Sequence, residues 1–122
     1  MRGGAILLAV CVAGCVPADH GFLRPRPAPV GMDARSPCAN LKQLYSINPI
    51  YPRQAMPVKQ DGWVLLQYDV AAAGVPFNVV VLDSSPQGVF DQASINALVQ
   101  WRYARKSFAT SDCVHLDTYS TQ

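Results

Sequence analysis

Apolar and polar positions alternate with a period of two along Asp61–Val70, with Val64, Leu66, Tyr68 and Val70 on one side and Gln67 and Asp69 on the other. That pattern predicts a strand with one buried face. Ala71–Gly74 then reads as a turn, and Val75–Asp83 as a second strand dense in β-branched residues, with Val79 and Val81 on one face. So short a connection implies an antiparallel hairpin. Ser84-Ser85-Pro86-Gln87-Gly88 is expected to end the strand, and Asp91 to cap a helix over Gln92–Gln100, with Phe90 stapled to Ile95. Ile95, Leu98 and Val99 would form its buried stripe, with Ala97 allowing close approach. Trp101–Arg105 reads as extended and Lys106–Ser111 as a loop. Asp112–Tyr119 alternates again, with Cys113, His115, Asp117 and Tyr119 on one side and Val114, Leu116 and Thr118 on the other.

The N-terminal third has a different character. Met1-Arg2-Gly3-Gly4, an apolar run from Ala5 to Ala13 and then Gly14-Cys15 have the layout of an export signal. The run is closed by Pro17, Asp19 and His20 before it reaches the roughly 20 apolar residues of a membrane span. Val12-Ala13-Gly14-Cys15 is similar to a bacterial lipobox, which implies cleavage before Cys15 and a diacylglyceryl group on its thiol. Val16 in the next position favours the outer membrane by analogy with lipoprotein sorting. An ordinary cleaved signal is the competing reading, since Cys11 shows that the apolar run contains cysteines. Val16–Pro37 is rich in Pro, Gly, Ala and Arg, and its alternate prolines at Pro25, Pro27 and Pro29 favour extended polyproline II. The expected organisation is a signal peptide over 1–14, a Pro-rich tether over 15–37 reaching on the order of 70 Å, and one folded domain over 38–122.

Charge and cysteines narrow the chemistry. Without residues 1–14 the chain has nine Lys and Arg against eight Asp, with no Glu, and its basic residues are scattered. That argues against a nucleic-acid binder. With Cys15 lipidated, Cys38 and Cys113 remain as an even pair in an oxidising compartment, where a disulfide is expected. A bridge closing a loop of this size contributes roughly 4 kcal/mol in the chain-entropy model. Cys113 and His115 share a strand face, so with Cys38 they could instead offer zinc or copper three ligands. A Cys113–His115 nucleophilic dyad is set aside, because neighbours at i and i+2 are poorly placed for in-line proton transfer. The Asp residues lack paired acid/base spacing and no Gly-rich phosphate loop is present. The expectation is a non-enzyme without a cofactor.

Tyr51-Pro52-Arg53-Gln54-Ala55, Gly62-Trp63-Val64, Val70, Gly74, Asn78–Ser85, Phe90-Asp91 and Trp101-Arg102-Tyr103 come in an order and spacing that resembles the C-terminal domain of TonB-type energy transducers. The residues have physical sense of their own. Pro52 suits the first turn of a short helix, Gly62 and Gly74 bracket the first strand, and Trp101 and Tyr103 can lock the second helix onto the sheet. The resemblance implies an α+β fold with two short helices packed on one side of a three-stranded antiparallel sheet. It also implies that the last strand, Asp112–Tyr119, pairs at its free edge with the TonB box, an extended peptide of an outer-membrane transporter.

Three departures qualify this. The transducers have a transmembrane helix and a long spacer, neither of which is read here. Arg105 stands where the family pattern usually shows Pro, followed by a short loop. A Cys38–Cys113 bridge would fasten the preceding segment to the last strand and could cover its edge. The sequence therefore supports an exported protein-binding domain in the periplasm of a Gram-negative bacterium, held to the outer membrane through Cys15. A structural envelope lipoprotein with a covered sheet edge, and a metal-binding module using Cys38, Cys113 and His115, stand as alternatives.

Overall fold

A computed structural model describes residues 22–121, so the export signal, the lipobox and Cys15 lie outside the described residues. The strands are β1 (Gln43–Tyr45), β2 (Gly62–Val70), β3 (Pro76–Ser85), β4 (Arg102–Tyr103) and β5 (Thr110–Tyr119), with one α-helix, α1 (Asp91–Leu98). Single 3-10 turns occupy Asp33–Arg35, Pro37–Asn40 and Arg53–Ala55. The main sheet has the order β3-β2-β5 and is antiparallel throughout, while β1 and β4 form a small antiparallel pair. The class is α+β, as the alternation and the resemblance imply. Among the described residues no helix is long and apolar enough to cross a membrane.

The core lies between one face of β2 and α1. Val64, Leu66, Tyr68 and Val70 point into it and meet Phe90, Leu98, Trp101, Tyr103 and Tyr119, all buried. Burying each large side chain contributes roughly 1.5–3 kcal/mol. The polar tips of the aromatics are satisfied internally. The Tyr68 and Tyr103 hydroxyls bond each other at 2.8 Å, the Trp101 Nε1–H donates to the Ile47 carbonyl at 3.0 Å, and the Tyr119 hydroxyl meets Ser94 Oγ at 2.6 Å. Tyr119 also stacks on Phe90 with centroids 4.1 Å apart. Two glycines make this packing possible. At Gly62 a Cβ would stand 2.6 Å from the Phe90 ring. Gly74 closes the β2–β3 turn at φ +92°, where a Cβ would fall 1.9 Å from the Tyr103 carbonyl oxygen.

The helical layer differs from the expected pair of helices. The segment after Pro52 makes one 3-10 turn, Arg53–Ala55, and no more. Pro57 follows at once, and its ring and missing N–H stop a helix that Pro52 starts. Asp91 is not the cap either. Phe90 occupies that position without a side-chain bond, Asp91 opens the helix, and its buried Oδ1 has no hydrogen-bond partner. The acidic residue still lies in the first turn, where the helix dipole favours negative charge. The buried stripe is Ser94, Ala97 and Leu98, while Val99 is exposed. Ser84 and Ser85, expected in a turn, are buried within β3.

The Pro-rich segment, expected as a tether, is bonded to the domain at Leu23 and to the sheet at Arg26. The Leu23 N–H donates to Oε1 of the buried Gln60 side chain at 2.7 Å, and the Gln60 amide donates back to the Leu23 carbonyl. Arg26 is the main anchor. Its N–H donates to Ser85 Oγ at 2.8 Å, its carbonyl accepts from Trp63 Nε1 at 2.7 Å, and its guanidinium lies 5.3 Å over the Trp63 ring. The guanidinium also grips Asp83 with two bonds, of 3.1 and 2.8 Å, and this holds the Asp83 carboxyl below the usual carboxylate range. Trp63 and Leu65 are therefore buried on the face opposite the core. The segment ends at a disulfide between Cys38 and Cys113, whose Cα atoms are 5.2 Å apart and whose sequence separation is 75.

Two measurements check this packing. Replacing both cysteines, Cys38→Ser with Cys113→Ser, should lower the unfolding free energy by about 4 kcal/mol, the chain-entropy value for such a loop; urea midpoints unchanged from the oxidised protein would contradict it. Alkaline pH tests the aromatic core. Burial raises the Tyr68 hydroxyl pKa and pushes that of Tyr119 up to about 12. Because the unfolded chain gives up these protons near pH ~10 while the native state keeps them, stability should hold below that pH and fall between it and about 12. Midpoints that stay level throughout this window would show the rings to be solvent-exposed.

Candidate peptide-binding edge

Strand β5 is one edge of the main sheet. In an antiparallel ladder the backbone groups of alternate residues turn away from the neighbouring strand. On β5 these include Val114 and Leu116, opposite Gln67 and Leu65 of β2. Their N–H groups are not left to solvent. The Val114 N–H donates to Ser36 Oγ at 3.0 Å and the Leu116 N–H to Asp33 Oδ1 at 3.0 Å. Ser36 is buried and its Oγ also accepts from the Cys38 N–H at 3.1 Å, capping the Pro37–Asn40 turn. The disulfide at Cys113 holds this cover against the strand.

The cover stops at Leu116. The same alternation turns the Thr118 backbone outward, and here a groove of about 450 Å³ runs between Leu116–Ser120 and the loop residues Asn48, Pro49 and Tyr51. His115 stands at the junction. Its Nε2 is 2.9 Å from Asp117 Oδ1, its Nδ1 is 3.8 Å from Asp33 Oδ1, and its ring packs edge-on to Trp101 at 4.7 Å. A second groove of about 460 Å³ lies between Ile47–Gln54 and α1, but it is not lined by any strand.

The opposite edge, β3, is a poorer template. Its register against β2 shifts twice, near Leu65/Leu66 and between Gln67 and Asp69, and Asn78 has φ 53°. Such bulges break the even row of donors and acceptors that a partner strand needs. β5 shifts once, at its beginning between Tyr68 and Val70. There the Asp112 N–H is taken by Asp69 Oδ1 at 3.0 Å. Asp69 also accepts from the Asn78 amide at 2.9 Å, and these two bonds, the Asn78 one first, lower its pKa.

The eight edge-strand residues expected from the sequence thus divide into separate roles. Cys113, Asp117 and Tyr119 are buried on the core side, with His115 between them; Val114, Leu116 and Thr118 carry the outward backbone groups; Asp112 is occupied by Asp69. With both sulfurs in the bridge, Cys38, Cys113 and His115 do not form a metal-ligand set, and no cluster able to hold a metal occurs among the described residues. Asp33, Ser36 and the Asn48–Tyr51 wall were not legible as site residues. Ser36-Pro37 does resemble a cap before a first-turn proline, but a cap says nothing of a strand 78 residues away.

Comparison with known proteins places this geometry. Residues 47–111 match the family described as the Gram-negative bacterial TonB protein C-terminal. Protein tonB2 of Pseudomonas aeruginosa is 37% identical over 67 residues, which is 55% of this chain and 25% of that protein. Protein TonB of Salmonella typhimurium is 36% identical over 55 residues, 45% of this chain and 23% of that protein. The chain therefore spans about a quarter of the length of the relatives it matches. The solution structure of the Pseudomonas aeruginosa TonB C-terminal domain superposes with a TM-score of 0.55 at 22% identity, covering 69% of this chain and 87% of that one. The TonB2 protein of Vibrio anguillarum gives 0.56 at 22% identity, covering 85% and 99%. The superpositions support the shared fold, the family match spans more than half of the residues, and the chain belongs to the TonB C-terminal family.

Proposed function

We propose that this protein is a non-enzymatic, periplasmic protein-binding domain that pairs β5 with a TonB-box-like peptide of an outer-membrane transporter, within TonB-dependent transport. The observation that carries the reading is the outward-facing backbone of Thr118 beside an open groove. Strand addition needs little else: main-chain hydrogen bonds give affinity and flanking pockets give selectivity. Family membership supports the transport context.

The export signal and the lipid on Cys15 complete the reading as proposals. If residues from Phe22 onward lie on the sheet, the stretch Cys15–Gly21 can reach at most about 25 Å, at ~3.6 Å per residue. The domain would then sit close beneath the outer membrane rather than at the end of a long spacer. A structural envelope lipoprotein is the second reading, favoured by the bonds of Asp33 and Ser36 to the same edge.

Titrating the isotope-labelled, oxidised protein with a short synthetic TonB-box peptide separates the two by NMR. Peptide pairing should shift amides of β5 and leave those of β3 and α1 in place. Shifts confined to β3 or α1, or no shifts at millimolar peptide, would favour the structural reading.

A further inference from the structure

The bonds at Val114 and Leu116 have the period of a partner strand. Outward donors on an edge recur every second residue, and here two side-chain oxygens, Ser36 Oγ and Asp33 Oδ1, meet two successive donors at 3.0 Å each. Resting on the peptide-pairing reading, we infer that the Asp33–Cys38 segment is a resident substitute for a partner strand. It closes the β5 edge over Cys113–Leu116 and leaves the outward backbone of Thr118 uncovered. The ligand is then an extended peptide that pairs at Thr118 over a short stretch and whose chain ends or turns away where it meets Asp33.

Two observations hold the division in place. Cys38 is 6% exposed and Cys113 fully buried, which hinders attack by a thiolate on the bridge. The segment is also tied at its other end, where Arg26 clamps Asp83 and Trp63 on the back of the sheet. Displacing it would cost the bonds to Val114 and Leu116 and expose the buried Ser36. A peptide that binds at Thr118 displaces no bond of Asp33 or Ser36, and a groove already lies beside Thr118, opposite Asn48, Pro49 and Tyr51.

The test maps where a short synthetic TonB-box peptide contacts the oxidised full chain and two opened variants, Asp33→Ala/Ser36→Ala and Cys38→Ser/Cys113→Ser. In the unaltered protein, amide shifts should be confined to Thr118–Ser120 and Asn48–Tyr51, with Val114 and Leu116 unmoved. In either variant the footprint should extend to Val114 and binding should tighten about tenfold, the effect of two more hydrogen bonds. Unmoved amides of Trp101 and Tyr103 in the free variants show which of them keeps the native core. Shifts at Val114 and Leu116 in the unaltered protein would overturn the division of the edge while leaving peptide pairing intact. So would a folded variant with neither a wider footprint nor tighter binding. Absence of shifts in all three proteins would sink the peptide-pairing reading itself.

Discussion

The bridge between Cys38 and Cys113 is the constraint from which much of the arrangement follows. It ties the irregular N-terminal segment to the middle of the core by a covalent bond, beside a strand that would otherwise present a full row of backbone donors. Once Cys38 is held there, Ser36 and Asp33 are within reach of the next two outward N–H groups. Unpaired edges invite association with other chains, and small sheets commonly blunt them. Here the blunting is partial, and the part left open coincides with a groove.

The same segment resolves a second difficulty. A three-stranded sheet with a helix on one side leaves its other face to water, yet β2 places Trp63 and Leu65 on that other face. Arg26 covers Trp63 with its own guanidinium and backbone, while Asp83 and the Ser84 carbonyl receive the charge. At this exposed site the ion pair itself stabilises little. Its value is geometric, since a planar guanidinium can stack on a ring and grip a carboxylate at once. Cover on the back face and cover on the edge are thus two parts of one strap that runs from Leu23 to Cys38.

What the sequence revealed follows from the range of each interaction. The β2 and β3 hairpin was legible because Val64, Leu66, Tyr68 and Val70 repeat at the strand period, and the faces of β5 were legible for the same reason. The cysteine pair followed from counting and compartment. The first helix was over-read, although Pro57 lay in plain view to stop it. β1 and β4 were missed as a pair because Gln43–Tyr45 is exposed and too short to show a period. The Cys38–Cys113 bridge pointed to a segment fastened to the last strand, but the bonds of that strap could not be read: a Pro-rich segment lacks periodicity, and the bonds join residues as far apart as Asp33 and Leu116. As a result the last strand was legible in the chain and cover at its edge could be anticipated, but not that Ser36 and Asp33 provide it at Val114 and Leu116.

Family membership and geometry therefore bear on function at different points. The family match ends at Ser111, before most of β5, and begins after the strap. The strap and most of β5 lie outside the matched residues, while the Asn48–Tyr51 wall of the groove lies within them. Amide hydrogen exchange along β5 tests the account most directly. The divided edge predicts slow exchange at Val114 and Leu116, whose N–H groups are bonded to the strap, and exchange close to the unprotected rate at Thr118. Equal exchange at all three amides, whether fast or slow, would contradict it.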